Sequence, residues 1–235
     1  NAIAAESLDF MATELEKAAG NNPTPAKLQT AVLGVLKKVL KEHKRIVFDG
    51  DGYSQDWHKE AEKRGLPHLR DSVEAFPVLK AKKTVDLFKK YGVLNKAEVD
   101  SRYHISVEKW VKQLTIEAEM MVSIARTQIL PAALKHQTLI AEAATATEAA
   151  GVDCEDTVQS LEHFTGLVTA LRTSLAALDA AVAHEDADPM KHAQQIKVKV
   201  RPAMADLRTA VDTLETHVDA GLWPMPTYRE LLFLK

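Results

Sequence analysis

The chain has 235 residues, is 46% hydrophobic and carries a single cysteine, Cys154. That length and composition support a buried core in one large domain or two small ones and exclude disorder of the whole, while one cysteine excludes an intrachain disulfide and a multi-cysteine zinc site. No apolar run approaches the roughly 18 residues of a membrane span, and the formal net charge of −3 offers no generally basic surface. The charge is uneven, with 16 Lys/Arg against 9 Asp/Glu in residues 27–96 and 10 acids against Arg172 and Lys191 in residues 136–195. Lys37, Lys38, Lys41 and Lys44 alternate with an apolar stripe and lack interleaved aromatics, which reads as a solvated helix face rather than a nucleic-acid surface. A soluble cytoplasmic protein with neither nucleic-acid nor membrane partners is expected. Asn1-Ala2 reads as a possible tag remnant, which would make residues 3–235 an excised piece.

With nine Gly, nine Pro and an apolar set dominated by Ala, Leu and Val, the chain is predicted to be all-α. Leu8, Met11, Leu15 and Ala18 predict a helix over 3–19, stopped by Gly20-Asn21-Asn22-Pro23. Thr24 and Pro25 open a second helix to about Arg45, with Leu28, Val32, Val35, Leu36, Val39, Leu40 and His43 on one face. Ser54 caps a short helix that Gly65-Leu66-Pro67 ends. Asp71 with Glu74 forms a capping-box pattern before a segment that Pro77 limits to a turn or two. A further short helix covers about 82–91. From Asn95, with Glu98 as box partner, a helix is predicted to run to Ala150, kinked at Pro131. Asp153 caps a second long helix whose seam is Leu161, Phe164, Val168, Leu171, Leu175, Leu178 and Val182. After Asp188-Pro189 a third carries Val200, Met204, Leu207, Val211, Leu214 and Val218 to a stop at Gly221. Short connections make these long helices antiparallel neighbours. The expected organisation is a single helical domain over 3–235, with shorter helices and a loop in 3–94 and a long-helix bundle in 95–235.

The stretch VFDGDGYSQDW, residues 47–57, interrupts this pattern. As a calcium loop from Asp49 it has acids at positions one and three and Glu60 at twelve, but Tyr53 and Ser54 occupy the fifth and sixth positions, where a ligand and a glycine belong. As a dinucleotide loop, Gly50 and Gly52 fit, but Gln55 replaces the third glycine and no βαβ unit surrounds it. Two readings remain: a structural turn, with the glycines supplying positive φ, or a recognition loop made of Asp49, Gly50, Asp51, Gly52, Tyr53, Ser54 and Trp57. The nine histidines form no close ligand pair. Glu162-His163 and His184-Glu185 are adjacent rather than three apart, so di-metal helical chemistry lacks its motif. His43 reads as a core or boundary histidine. At a helix N-terminus Cys154 is opposed by Glu155 and Asp156, and Glu117 and Glu119 face different directions, so neither makes a catalytic pair. No catalytic, cofactor-binding or metal residue is predicted.

Several blocks, in order, carry a resemblance: VFDGDGYSQDWHKEAEKRGLPHL, VEAFPVL, SRYHISVEKW with TIEAEMMVSIARTQILPA, and LWPMPTYRELLF. Together they resemble the C-terminal region of type III glutamine synthetases, and AAESLDFMATELEK is similar to the helix after that family's catalytic core. Asp49 and His68 depart from the family pattern, which usually has Asn at both. The resemblance implies a parent enzyme that joins glutamate and ammonia using ATP and divalent metals, Mg or Mn, in a homo-oligomeric ring. The family's phosphate-binding, metal-ligand and substrate-arginine motifs do not occur in these residues. The implied role is packing, assembly or regulation, with the catalytic domain of the same protein and neighbouring subunits as partners. The alternative is a self-standing helical scaffold whose seams bind partner helices.

Overall fold

A computed structural model of the chain describes residues 1–184 and 186–233. Glu185 and the last two residues of the expected bundle lie outside the described residues. Among the described residues the chain is 78% helical and has no strand, the all-α class that the periodicity predicts. It divides into two compact units, Asn1–Ile105 and Ser106–Lys235.

The first unit is built from short helices fixed by their caps. α1 spans Ala2–Ala19 and ends where Gly20 takes φ 71°. α2 spans Pro25–His43, with the Thr24 side chain accepting from the Lys27 amide and Pro25 at the first helical position. It stops two residues short of the expected Arg45, where Lys44–Ile46 tighten into a 3-10 turn. α1 and α2 form a hairpin closed by small residues, Ala19 and Ala31 being buried, and Lys38 Nζ donates to Glu14 at 2.8 Å. The expected apolar face of α2 is only partly used. Val32, Val35 and Val39 are half-buried, whereas Leu28, Leu36, Leu40 and His43 are exposed, because one hairpin neighbour covers less than half of a helix surface.

α3, Gln55–Lys63, is capped by Ser54 and ends at Gly65 with φ 67°. α4, Ser72–Lys80, is capped by Asp71 and keeps Pro77 inside its nine residues, a little longer than expected. The Glu74 carboxylate accepts from the Arg70 amide at 2.8 Å, one residue outside a standard capping box. α5 covers Lys82–Lys90. Lys90 Nζ and Tyr91 Oη both donate to Asp9 Oδ2, at 2.7 and 2.6 Å, and so tie α5 to α1. α6, Lys96–Ile124, begins with a full box: the Glu98 amide donates to Asn95 Oδ1 and the Asn95 amide to Glu98 Oε2.

The second unit is a bundle organised on α8, Glu155–Val182. Its Phe164, Val168, Leu171, Leu175 and Leu178 are buried, and the helix packs against both α7, Leu130–Ala149, and α10, Arg201–Glu215. Spacing of four and three keeps all five on one stripe. Its first amide is served by Asp153 Oδ1 at 3.2 Å, although Cys154 rather than Asp153 occupies the cap position. The third helix starts as α9, Pro189–Gln195, on the Asp188 cap. It ends at Glu215, before the expected Gly221, and Val218 is buried in the turn that follows. A short α11, Tyr228–Leu232, absent from the sequence expectation, forms on a Thr227–Glu230 capping box.

The two prolines inside the long helices of the second unit, Pro131 and Pro202, are absorbed in the same way. Ala125–Ile129 and Ile196–Val200 form π turns, with the Leu130 amide donating to Ala125 O and the Arg201 amide to Ile196 O. Pro131 and Pro202 each follow two residues after such a turn. An α-helical proline lacks one donor and crowds the carbonyl four residues back. A wider turn relieves that crowding and lets the helix continue, which refines the simple kink expected at Pro131. No helix among the described residues is long and apolar enough to cross a membrane. Because Leu178 is fully buried, Leu178→Ala is expected to cost about 2–5 kcal/mol in urea unfolding, whereas Val198→Ala, at an exposed site, should stay within about 0.5 kcal/mol of the parent.

Candidate functional site

The loop at residues 47–57 is a braced turn. Asp51 Oδ1 accepts the Tyr53 amide at 2.9 Å, and Asp51 O accepts both the Ser54 amide at 3.1 Å and Ser54 Oγ at 2.7 Å. Ser54 Oγ in turn accepts the Trp57 amide at 3.2 Å and starts α3. An aspartate bonding two residues on and a serine capping three residues on are local devices, written in the order of the chain. Behind the turn, the Phe48 and Trp57 rings stack with centroids 4.6 Å apart. The Arg64 guanidinium lies 5.7 Å from the Trp57 ring. Arg64 Nη1 donates to Val47 O at 2.6 Å and to Arg45 O at 3.2 Å, and its Nε donates to Glu60 at 2.7 Å.

Arg64 is thus the staple of the loop, and sequence reasoning missed it. Its signal was available: Trp57, Glu60 and Arg64 follow at spacings of three and four on one helix face. The glycines also act differently from expectation. Neither Gly50 nor Gly52 has positive φ among the described residues. A Cβ on Gly50 would sit 2.7 Å from the Phe48 ring, so this position is glycine because the stacked ring lies against it; a Cβ on Gly52 would meet nothing within 4 Å. Tyr53 is 95% exposed and Trp57 is half-buried. The structure therefore separates the two aromatics that the sequence grouped together. Asp49 is exposed beside them.

Beyond the turn, the His58 and His68 rings stand 4.6 Å apart. Glu62 joins this cluster, accepting from Arg70 at 2.7 Å and lying 3.2 Å from His68 Nδ1. The Arg70 hydrogen bond, followed by that of His68, holds the Glu62 carboxyl below the usual glutamate range. Among the described residues no group of three or more His, Cys, Asp or Glu is arranged to hold a metal. Glu117 takes a helical hydrogen bond from Gln113, and Cys154 is a half-buried free thiol. What the loop offers chemically is a fixed polar backbone presenting one exposed tyrosine.

Comparison with known proteins places these features in a family context. The profile described as "Glutamine synthetase C-terminal domain" matches residues 31–148, a span that contains the whole loop. A type-3 glutamine synthetase from Dictyostelium discoideum is 32% identical over 243 residues, covering 100% of this chain and 32% of that protein. A glutamine synthetase from Bacteroides fragilis is 26% identical over 214 residues, covering 87% of this chain and 29% of that protein. One from Butyrivibrio fibrisolvens is 28% identical over 210 residues, covering 88% and 30%. The chain spans about a third of the length of these relatives.

Two outcomes follow from the loop geometry. Gly50→Ala must displace the Phe48 ring from Trp57 and is expected to cost about 1–3 kcal/mol, whereas Gly52→Ala should be near neutral; thermal unfolding of the two variants separates them. The Glu60 carboxyl is held below its usual range by the hydrogen bond from Arg64. Its contribution to stability is therefore complete above the ordinary glutamate range and disappears as pH falls through the lowered value. Carboxyl NMR titration should show Glu60 titrating at higher pH in Arg64→Ala than in the parent.

Proposed function

Because the chain belongs to the glutamine synthetase C-terminal domain family, we propose that it is the C-terminal helical part of a cytoplasmic type III glutamate–ammonia ligase in nitrogen assimilation, and that it serves packing and assembly rather than the chemical step. The observation that carries this reading is coverage: the whole chain aligns with one third of a type-3 glutamine synthetase. ATP and the divalent metals, Mg or Mn, belong in this reading to the remaining two thirds.

Within that role the 47–57 loop docks on the catalytic body of the same protein or on a neighbouring subunit of the homo-oligomer. Asp51, Ser54 and Arg64 fix its backbone before any partner arrives, so association orders little more than the Tyr53 side chain. Trp57 supports the loop from behind through Phe48 and Arg64, and Tyr53 supplies apolar area with a polar tip.

The isolated chain is expected to show no glutamine formation from glutamate, ammonia, ATP and Mg or Mn. Turnover abolished by Asp51→Ala would overturn that. In the full-length enzyme, Tyr53→Ala should weaken assembly by about 1–3 kcal/mol, read by sedimentation across a dilution series. In the isolated chain the same change should move stability by less than about 0.5 kcal/mol, since Tyr53 touches little of its own unit. Unchanged assembly in full-length Tyr53→Ala would leave the loop as a structural turn.

A further inference from the structure

A cavity of about 540 Å³ lies in the second unit, between the end of α6 with its π turn, α10, and the C-terminal strap that runs from Trp223 through α11. Its volume falls in the range of small-molecule sites. The walls are apolar, with Met121, Ile124 and Ile129 on one side and Leu207, Val211 and Leu231 on the others. Two aromatic side chains of the strap, Trp223 and Tyr228, complete it.

The charges of the lining are unbalanced in one direction. Arg208, Asp212 and Glu215 occupy one face of α10 at spacings of four and three. Arg208 Nε and Asp212 Oδ1 form an ion pair at 2.5 Å and cancel. Glu215 is exposed and leaves one negative charge at the rim. Among the described residues no other cation lines this cavity, and the nearby Glu230 is taken up by the Thr227 capping box. An apolar chamber with two aromatic rings and one uncompensated carboxylate suits an organic cation: rings attract a cation through their negative faces, and the carboxylate pairs with it.

From this charge pattern we propose that the cavity is a binding site for a small monocationic amphiphile, an aryl- or alkylamine, with its apolar body between the π turn and α10 and its ammonium at Glu215. The strap is the movable wall. Trp223 Nε1 is covered and donates to no acceptor among the described residues, so the closed strap carries an unsatisfied donor that lifting would relieve. Tyr228, 85% exposed at the strap's edge, is free to turn inward over the head group. This site is independent of the ligase reading, because it uses only α6, α10 and the strap.

The test titrates the 235-residue chain with 4-phenylbutylamine, followed by calorimetry and by the indole N–H resonance of Trp223, assigned through Trp223→Phe. Saturable one-site binding that shifts this resonance is expected. The neutral 4-phenylbutanol should bind about three- to fivefold more weakly and the anionic 4-phenylbutyrate about tenfold more weakly or less well still. Glu215→Gln, a change at an exposed site, should erase the advantage of the amine over the alcohol and leave alcohol binding intact. Val211→Trp, which fills the chamber from α10, should abolish binding of both; circular dichroism confirms that the variant is folded, and should it unfold, the Glu215→Gln comparison and the Trp223 shift still decide. Absence of saturable binding, equal binding of the three probes, or an amine advantage that survives Glu215→Gln overturns the proposal.

Discussion

The second unit depends on one constraint, the need to cover the apolar stripe of α8 from end to end. Phe164, Val168, Leu171, Leu175 and Leu178 repeat at four and three and are all buried, and a helix with such a stripe is stable only if long neighbours lie along it. Those neighbours, the α6–α7 and α9–α10 helices, each contain a proline within the covered length. A break at either position would have left part of the stripe in water, at about 1.5–3 kcal/mol for each large side chain exposed. The paired π turns before Pro131 and Pro202 reconcile the two demands. Each widens the helix just ahead of the ring, so the apolar series continues through Ala125, Ile129, Ala132 and Ala133 on one side and Ile196, Val200 and Leu207 on the other.

The first unit solves its stability problem by different means. Its buried positions are mostly small, Ala19, Ala31, Ala61 and Val73, joined by Val99 and Tyr103 of α6. Order comes from caps and cross-links: Thr24, Ser54, Asp71 and Asn95 each serve an orphan amide, at about 1 kcal/mol apiece, and Asp9 binds Lys90 and Tyr91 across the unit. The hydrogen bond that Lys90 donates to Asp9 holds the Asp9 carboxyl below its usual range and raises the Lys90 ammonium, so each partner keeps the other charged. Lys80 repeats the theme between α4 and α6, near Asp100 and over the Tyr103 ring.

What was legible in the sequence is what is local. Thr24-Pro25, Ser54, Asn95-Glu98 and Asp188-Pro189 announce helix starts because the capping side chain and its amide are three residues apart at most. Gly20, Gly65, Gly92 and Gly151 announce ends, and all four take positive φ. The α8 seam was legible because a buried stripe imposes its period on the residues. What was not legible depends on contacts between distant positions or on fine helical geometry. The π turns leave no residue signature beyond the prolines themselves. Gly50 is glycine because of where the Phe48 ring lies, which only the stack on Trp57 determines. Leu28, Leu36, Leu40 and His43 have the spacing of a buried face but only one neighbouring helix, so periodicity overstated their burial.

The loop shows how those two kinds of information combine. Its local residues, Asp51 and Ser54, make the turn, while Arg64, 17 residues beyond Val47, closes it. Such a turn is already paid for in conformational entropy before it meets anything. Phe48, Trp57 and Arg64 consume one another's surfaces, which leaves Tyr53 as the large side chain of the loop that its own unit does not hold. A tyrosine 95% exposed on a backbone fixed by three separate hydrogen-bonding side chains is an unusual use of local order if the turn is only a connector, since a connector between α2 and α3 gains nothing from rigidity at its tip. Rigidity at an exposed tip is useful where a second surface must find the side chain in one place. Under the proposed docking role that surface belongs to the same protein or its copies, and the division between a supporting Trp57 and an exposed Tyr53 is the feature of this loop that favours docking over mere turning.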